Sequence, residues 1–151
     1  MRTAPYMGRG PRAFEPTGAL HAMTTRLSLH AKSPHAYPET IQRLTELLQT
    51  EGFGILNTID LQAKFKEKLG RDSERYQILG ACNPTLAWDA VHAVPEIGVL
   101  LPCSVVVRES RGAVLVDIMD PTTVLGLLDH PRITALAQET RTRLERVIAA
   151  L

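Results

Sequence analysis

The stretch that most restricts this chain is a pair of apolar, β-branched runs, GVLLPCSVVVRE (98–109) and AVLVDIM (113–119), separated only by Ser110, Arg111 and Gly112. Such residues fit a pleated, half-buried surface, and a short connection containing Gly turns the chain back, so the two runs predict an antiparallel hairpin. Alternation along the first run places Val99, Leu101, Cys103, Val105 and Val107 on one face and Leu100, Pro102, Ser104 and Val106 on the other. Pro102 has no N–H to give to a ladder, which predicts an edge strand or a bulge there.

The other segments alternate strand and helix patterns. TRLSLH sets Leu27 and Leu29 on one strand face. PETIQRLTELLQTEG spaces Ile41, Leu44, Leu47 and Leu48 along a helical stripe, with Pro38 in the first turn, Glu39 near the positive end of the dipole and Gly52 as the stop. FGILNTI reads as a strand, and Asp60 as the cap of a short helix in which Leu61, Phe65 and Leu69 share a face before Gly70. RYQILGAC is a strand that ends at Asn83-Pro84, where Asn caps a helix and Pro presets its first residue. That helix, PTLAWDAVHAV, is expected to turn Leu86, Ala87, Ala90, Val91 and Val94 inward and to stop before Pro95. Asp120-Pro121 repeats the cap-then-proline signature, and Pro131 starts a long amphipathic helix carrying Ile133, Leu136, Ala137, Leu144, Val147, Ile148 and Leu151 on one side. Antiparallel strands with helices inserted between them, and no regular crossover, specify an α+β fold with helices against one face of the sheet.

A chain of 151 residues suits one domain. Residues 1–23 are rich in Pro, Gly and Arg and lack an apolar period, so a disordered tail is expected ahead of a single α+β domain over 24–151. Met23 directly precedes the first strand pattern and marks a second candidate start. With 17 basic against 16 acidic residues there is no broad excess to neutralise phosphates, which argues against a nucleic-acid partner. No apolar run approaches the roughly 20 residues of a membrane span. Two cysteines are too few for a disulfide framework, and the simplest setting is a reducing cytoplasm.

Three stretches in order, EGFGILNTIDLQAKFKEKLG, YQILGACNPTLAWDA and PEIGVLLPCSVVV, resemble the domain of unknown function family 302, of the TT1751-like type. The resemblance spans 24–151. It implies a homodimer of halves similar to the TATA-binding protein, each a curved antiparallel sheet backed by helices, and it implies no reaction. Relatives carry Asn after the second cysteine, in a Leu-Pro-Cys-Asn pattern, where this chain has Ser104. One hydroxyl there replaces an amide that both donates and accepts.

Cys82 and Cys103 each have two readings. Beside a helix N-terminus, Cys82 would gain from the dipole and from unpaired backbone donors, which favour a thiolate of lowered pKa. Against that, cysteine is among the most buried residue types, and Cys103 shares its strand face with four aliphatic residues. The expected site is a small-ligand pocket built from Cys82, Asn83 and Pro84 at the strand-to-helix junction and from Pro102, Cys103 and Ser104 on the hairpin strand. An anionic or thiol-reactive ligand would dock beside the helix N-terminus. A thiol enzyme using Cys82 and a dimeric interaction scaffold are the alternatives. Two cysteines supply half of a structural zinc set, so no metal site is expected, and no cofactor is specified. Asp89 and His92, three apart on one helix, are a solvated pair or an oriented base. His21, His30, His35 and His130 are scattered, and Trp88 reads as a packing or interface residue.

Overall fold

A computed structural model describes residues 27–151. The expected tail over 1–23, and Met23 itself, lie outside the described residues. The elements run β1 (Ser28–Ser33), α1 (Tyr37–Thr50), β2 (Gly54–Asp60), α2 (Leu61–Leu69), β3 (Tyr76–Cys82), α3 (Pro84–Ala93), a 3₁₀ segment (Pro95–Leu100), β4 (Cys103–Ser110), β5 (Ala113–Met119), α4 (Pro121–Leu125) and α5 (Pro131–Ala150). The five strands form one open antiparallel sheet in the order β1-β5-β4-β3-β2. This is the α+β architecture expected from the sequence.

The hairpin forms with Ser110 opposite Ala113, so Arg111 and Gly112 are the two turn residues, at φ +52° and +78°. Positive φ at both positions is the turn whose twist matches that of the flanking strands, and Gly112 takes its share without strain. Register then stacks Leu29 against Ile118, Ile118 against Val105, and Val105 against Leu79 on one face. These residues, with Leu44 and Leu48 of α1 and Leu144 and Val147 of α5, make the main core. Tyr37 at the start of α1 donates its hydroxyl proton to the Val107 carbonyl (3.1 Å), and burial pushes its pKa up to about 12. A second cluster of Ala90, Ile97, Leu125, Ile133 and Ala137 joins α3, the 3₁₀ segment, α4 and α5.

Four expectations need correction. The strand through Cys103 starts at Cys103 itself; Pro95–Leu100 coils into 3₁₀ geometry, burying Ile97 and leaving Val99 86% exposed. Pro95 presets the first 3₁₀ residue, and Ile97 gains more by capping the second cluster than by extending a ladder that Pro102 cannot join. Pro102 therefore precedes the strand, and β4 is central, paired on both sides. On α3 only Leu86 and Ala90 are buried, while Val91 is exposed. Leu27 lies before β1 and is exposed, and the stripe on α2 buries no residue, because that helix makes its main contact with β3 and has no second layer over it.

Candidate functional site: the junction of β3, α3 and β4

β3 ends at Cys82, and the next residue caps α3: the Asn83 carboxamide oxygen accepts from the Leu86 amide at 3.2 Å, while the Asn83 carbonyl accepts from Ala87. Asn83 is buried, and its side-chain nitrogen points at the Glu51 carbonyl, 3.5 Å away. That carbonyl, at the end of α1, also accepts from Arg143 of α5 at 3.1 Å. The Glu51 carboxylate meets Arg146 through two bonds of 2.9 and 2.7 Å, and those bonds hold its pKa below the usual range. Gly52 closes this joint at φ +83°, where a Cβ would stand 2.8 Å from the Asn83 side-chain nitrogen. Glu51, Gly52, Arg143 and Arg146 thus hold the end of α1 to α5, beside the start of α3. Sequence reasoning missed all but Gly52, because the partners lie up to 95 residues apart.

On β4, Cys103 pairs with Ala81 and shares its helix-covered face, and Cys82 is the next residue along β3. Between them is a small cavity of about 40 Å³, bordered by Cys82, Asn83 and Cys103 and walled by apolar groups from Phe53, α3, α4 and α5. Thr140 supplies a hydroxyl to the wall, already committed to the Leu136 carbonyl at 2.7 Å. Outside the cavity a polar groove of about 380 Å³ runs past Asn83, Pro84, Thr85, Asp89, Glu139 and Arg143. The two spaces share Asn83, Leu86 and Leu136 as a common wall.

Of the six residues expected at the site, Cys82, Asn83 and Cys103 border the cavity and Pro84 lines the groove. Pro102 and Ser104 fall on the opposite face of the sheet. Pro102 covers Gly80, where a Cβ would come within 2.7 Å of its ring and still closer to Asn57. Ser104 is exposed and lines a depression on the open face. Asp89 and His92 do not form an acid–base pair: the His92 Nδ1–H donates to the Trp88 carbonyl (2.8 Å), and its ring stacks on the indole at 4.0 Å.

The expected activation of Cys82 is reversed. Burial pushes its thiol pKa up, and burial followed by the neighbouring Cys82 pushes Cys103 up to about 11. The α3 N-terminus has little to offer a thiolate, since Asn83 already takes the Leu86 and Ala87 donors. A raised folded pKa makes the folded chain hold its proton where the unfolded chain, near 9.0, has released it. Folding stability is therefore expected to fall as pH rises from the unfolded value toward about 11, and Cys103→Ala should flatten part of that loss. At pH 8, iodoacetamide should label Cys82 ahead of Cys103; labelling of Cys103 at the denatured rate would contradict its burial.

The family model described as "Domain of unknown function DUF302" matches residues 29–151. The chain belongs to the DUF302 family. It is similar to a solved structure, "Crystal structure of uncharacterized conserved protein DUF302 from Bacillus stearothermophilus", with 30% identity and a TM-score of 0.77 over 82% of this chain and 97% of that one. No curated protein matches this chain. Among the described residues no helix is long and apolar enough to cross a membrane, and no group of three or more His, Cys, Asp or Glu is placed to hold a metal ion.

Proposed function

We propose that this DUF302 domain is a small-ligand-binding module whose pocket is the junction of β3, α3 and β4. The observation that carries the reading is the apolar cavity bordered by both cysteines and opening beside a polar groove across Asn83. A few convergent polar groups set in an apolar wall are the usual make-up of a binding site. The groove carries Asp89 and Glu139 with Arg143, which is paired with Glu139, so it suits a polar end that both donates and accepts, and the cavity has room for only a few atoms beside the thiols. A reducing compartment would keep both cysteines free. The thiol-enzyme alternative loses support because burial disfavours both thiolates.

Native mass spectrometry of protein purified from its own host, compared with the denatured mass, tests this. The expected result is a bound mass released on denaturation and absent from Ala87→Leu, which fills the cavity wall. Chains without a bound mass, or one unaffected by Ala87→Leu, would overturn it.

The chain also works, on this reading, as a homodimer. The open face of the sheet supports it, with Leu27, Val106 and Met119 around a depression of about 520 Å³ next to the Arg108–Asp117–His30 cluster. Sedimentation velocity should show a dimer that Val106→Glu converts to monomer. A monomeric native chain would remove this part of the reading.

A further inference from the structure

We infer that His30 makes dimerisation through the open face of the sheet pH-sensitive: the dimer forms while the His30–Asp117–Arg108 cluster is charge-balanced and comes apart when the His30 ring takes a second proton. This rests on the reading of that face as the dimer interface and adds its regulation.

The register lays the cluster across the face. His30 stands opposite Asp117, and Asp117 opposite Val106, so the three form one row over β1, β5 and β4, on the side away from Leu29, Ile118 and Val105 of the main core. Asp117 and Arg108 line the depression together with Leu27, Val106 and Met119. Asp117 uses both of its oxygens: one accepts from His30 Nδ1 at 2.6 Å and the other from Arg108 Nε at 2.9 Å. A carboxylate only accepts, so Nδ1 carries the proton of that bond, and in the neutral ring Nε2 carries none. Arg108 and Asp117 then cancel. A proton added at Nε2 leaves the cluster with one uncompensated positive charge.

The neighbouring groups do not absorb that excess. Lys32, two residues along the same face of β1, is itself a cation. Tyr76, across the ladder from Arg108, brings a phenol and no carboxylate. Glu109 alternates to the other face, where it meets Arg75 at 3.8 Å, and α5 packs against β1 from that other face as well. In a free protomer water solvates the charged ring, since the side chains of His30, Arg108 and Asp117 are 37%, 30% and 19% exposed. Docking a second copy removes that water, and a twofold axis brings two such excess charges into one interface. The stronger attraction between a charged His30 and Asp117 is present in the protomer too, so it does not offset the desolvation. The proton is therefore held less well in the dimer, and by linkage association weakens as pH falls through the histidine range.

The test is sedimentation velocity of the full chain over a concentration series at pH 7.5 and pH 5.5. Histidine ordinarily titrates near pH 6.5, so each of the two copies contributes up to about tenfold over this span, and the dissociation constant is expected to rise by about 10- to 100-fold. His30→Gln, neutral at both values, should stay a dimer whose dissociation constant changes by less than about threefold. His30→Lys, a permanent cation, should associate weakly at both. Circular dichroism at pH 5.5 distinguishes dissociation from unfolding, and loss of the native spectrum there overturns the switch. A native dimer equally tight at both values, a His30→Gln chain that keeps the native pH dependence or is monomeric at pH 7.5, or a His30→Lys dimer as tight as the native one overturns the switch and leaves the interface standing. A native chain that is monomeric at pH 7.5 removes the interface and the switch together.

Discussion

Leu144→Ala is expected to cost about 2–5 kcal/mol of folding stability, the range for truncating a fully buried leucine. Leu144 sits at 0% exposure in the middle of α5, within the cluster that also contains Leu44 and Leu48 of α1 and Val105 and Val116 of the sheet. The loss has two parts, the transfer of the removed methyl groups and the void left among side chains that cannot collapse onto it. Relaxation is restricted on every side here: β4 and β5 are paired along their lengths, and α1 is held by Tyr37 at one end and by the Glu51 joint at the other. Urea unfolding followed by circular dichroism reads the change as a lower midpoint at unchanged slope. A loss below about 1 kcal/mol would mean that α5 shifts to fill the space, and that it is not a fixed wall of the cavity.

Asp120→Ala is expected to cost about 2–4 kcal/mol, combining a helix cap with a hydrogen bond between charged groups. Asp120 is buried at the end of β5, where one carboxylate oxygen accepts from the Thr122 amide (2.9 Å) and the Thr122 hydroxyl (2.7 Å). Its other oxygen receives the Arg141 guanidinium, which also touches the Thr122 hydroxyl. One side chain thus caps α4 and ties β5 to α5 beside Thr140, a wall residue of the cavity. Removing it leaves the Thr122 amide uncapped and Arg141 with only Glu145 and the Thr122 hydroxyl. A double-mutant cycle with Arg141→Met separates the ion pair from the cap. If Asp120→Ala costs no more than Arg141→Met, the cap contributes little and the tie to α5 is the main effect.

Much of the fold was legible residue by residue. The Asn83 and Asp120 caps, each followed by proline, mark the helix starts that the structure shows, because a cap is satisfied within three residues. The core stripes of α1 and α5 follow from the 3.6-residue period, and the hairpin from its turn chemistry. The apolar run around Val99 misled, because its period is satisfied equally by a strand and by a coil that hands Ile97 to another cluster. Val91 misled for a related reason: α3 meets its neighbours along a narrow line, so a stripe read as inward is only partly covered.

The candidate site was half legible. That Cys82 and Cys103 stand near each other was not written in their 21-residue spacing; it follows from the register that sets Ala81 against Cys103. The same register sends Ser104 to the open face, where neighbouring residues of one strand must part company. The direction of the Cys82 pKa was misjudged because a helix N-terminus promises free donors, and only the packed structure shows the burial that raises it and Asn83 taking the Leu86 amide.

By itself, then, the sequence determined the order and type of the elements, the turn that pairs β4 with β5, and the capped start of the helix beside Cys82. Each of these depends on contacts within a few residues or on a period along one element. Only the tertiary structure decided which residues border the cavity, how Glu51, Asn83, Arg143 and Arg146 close the joint beside it, and that burial holds both thiols protonated. Those depend on pairings between segments far apart in the chain and on desolvation, which exists only once the helices and the sheet have closed over the site.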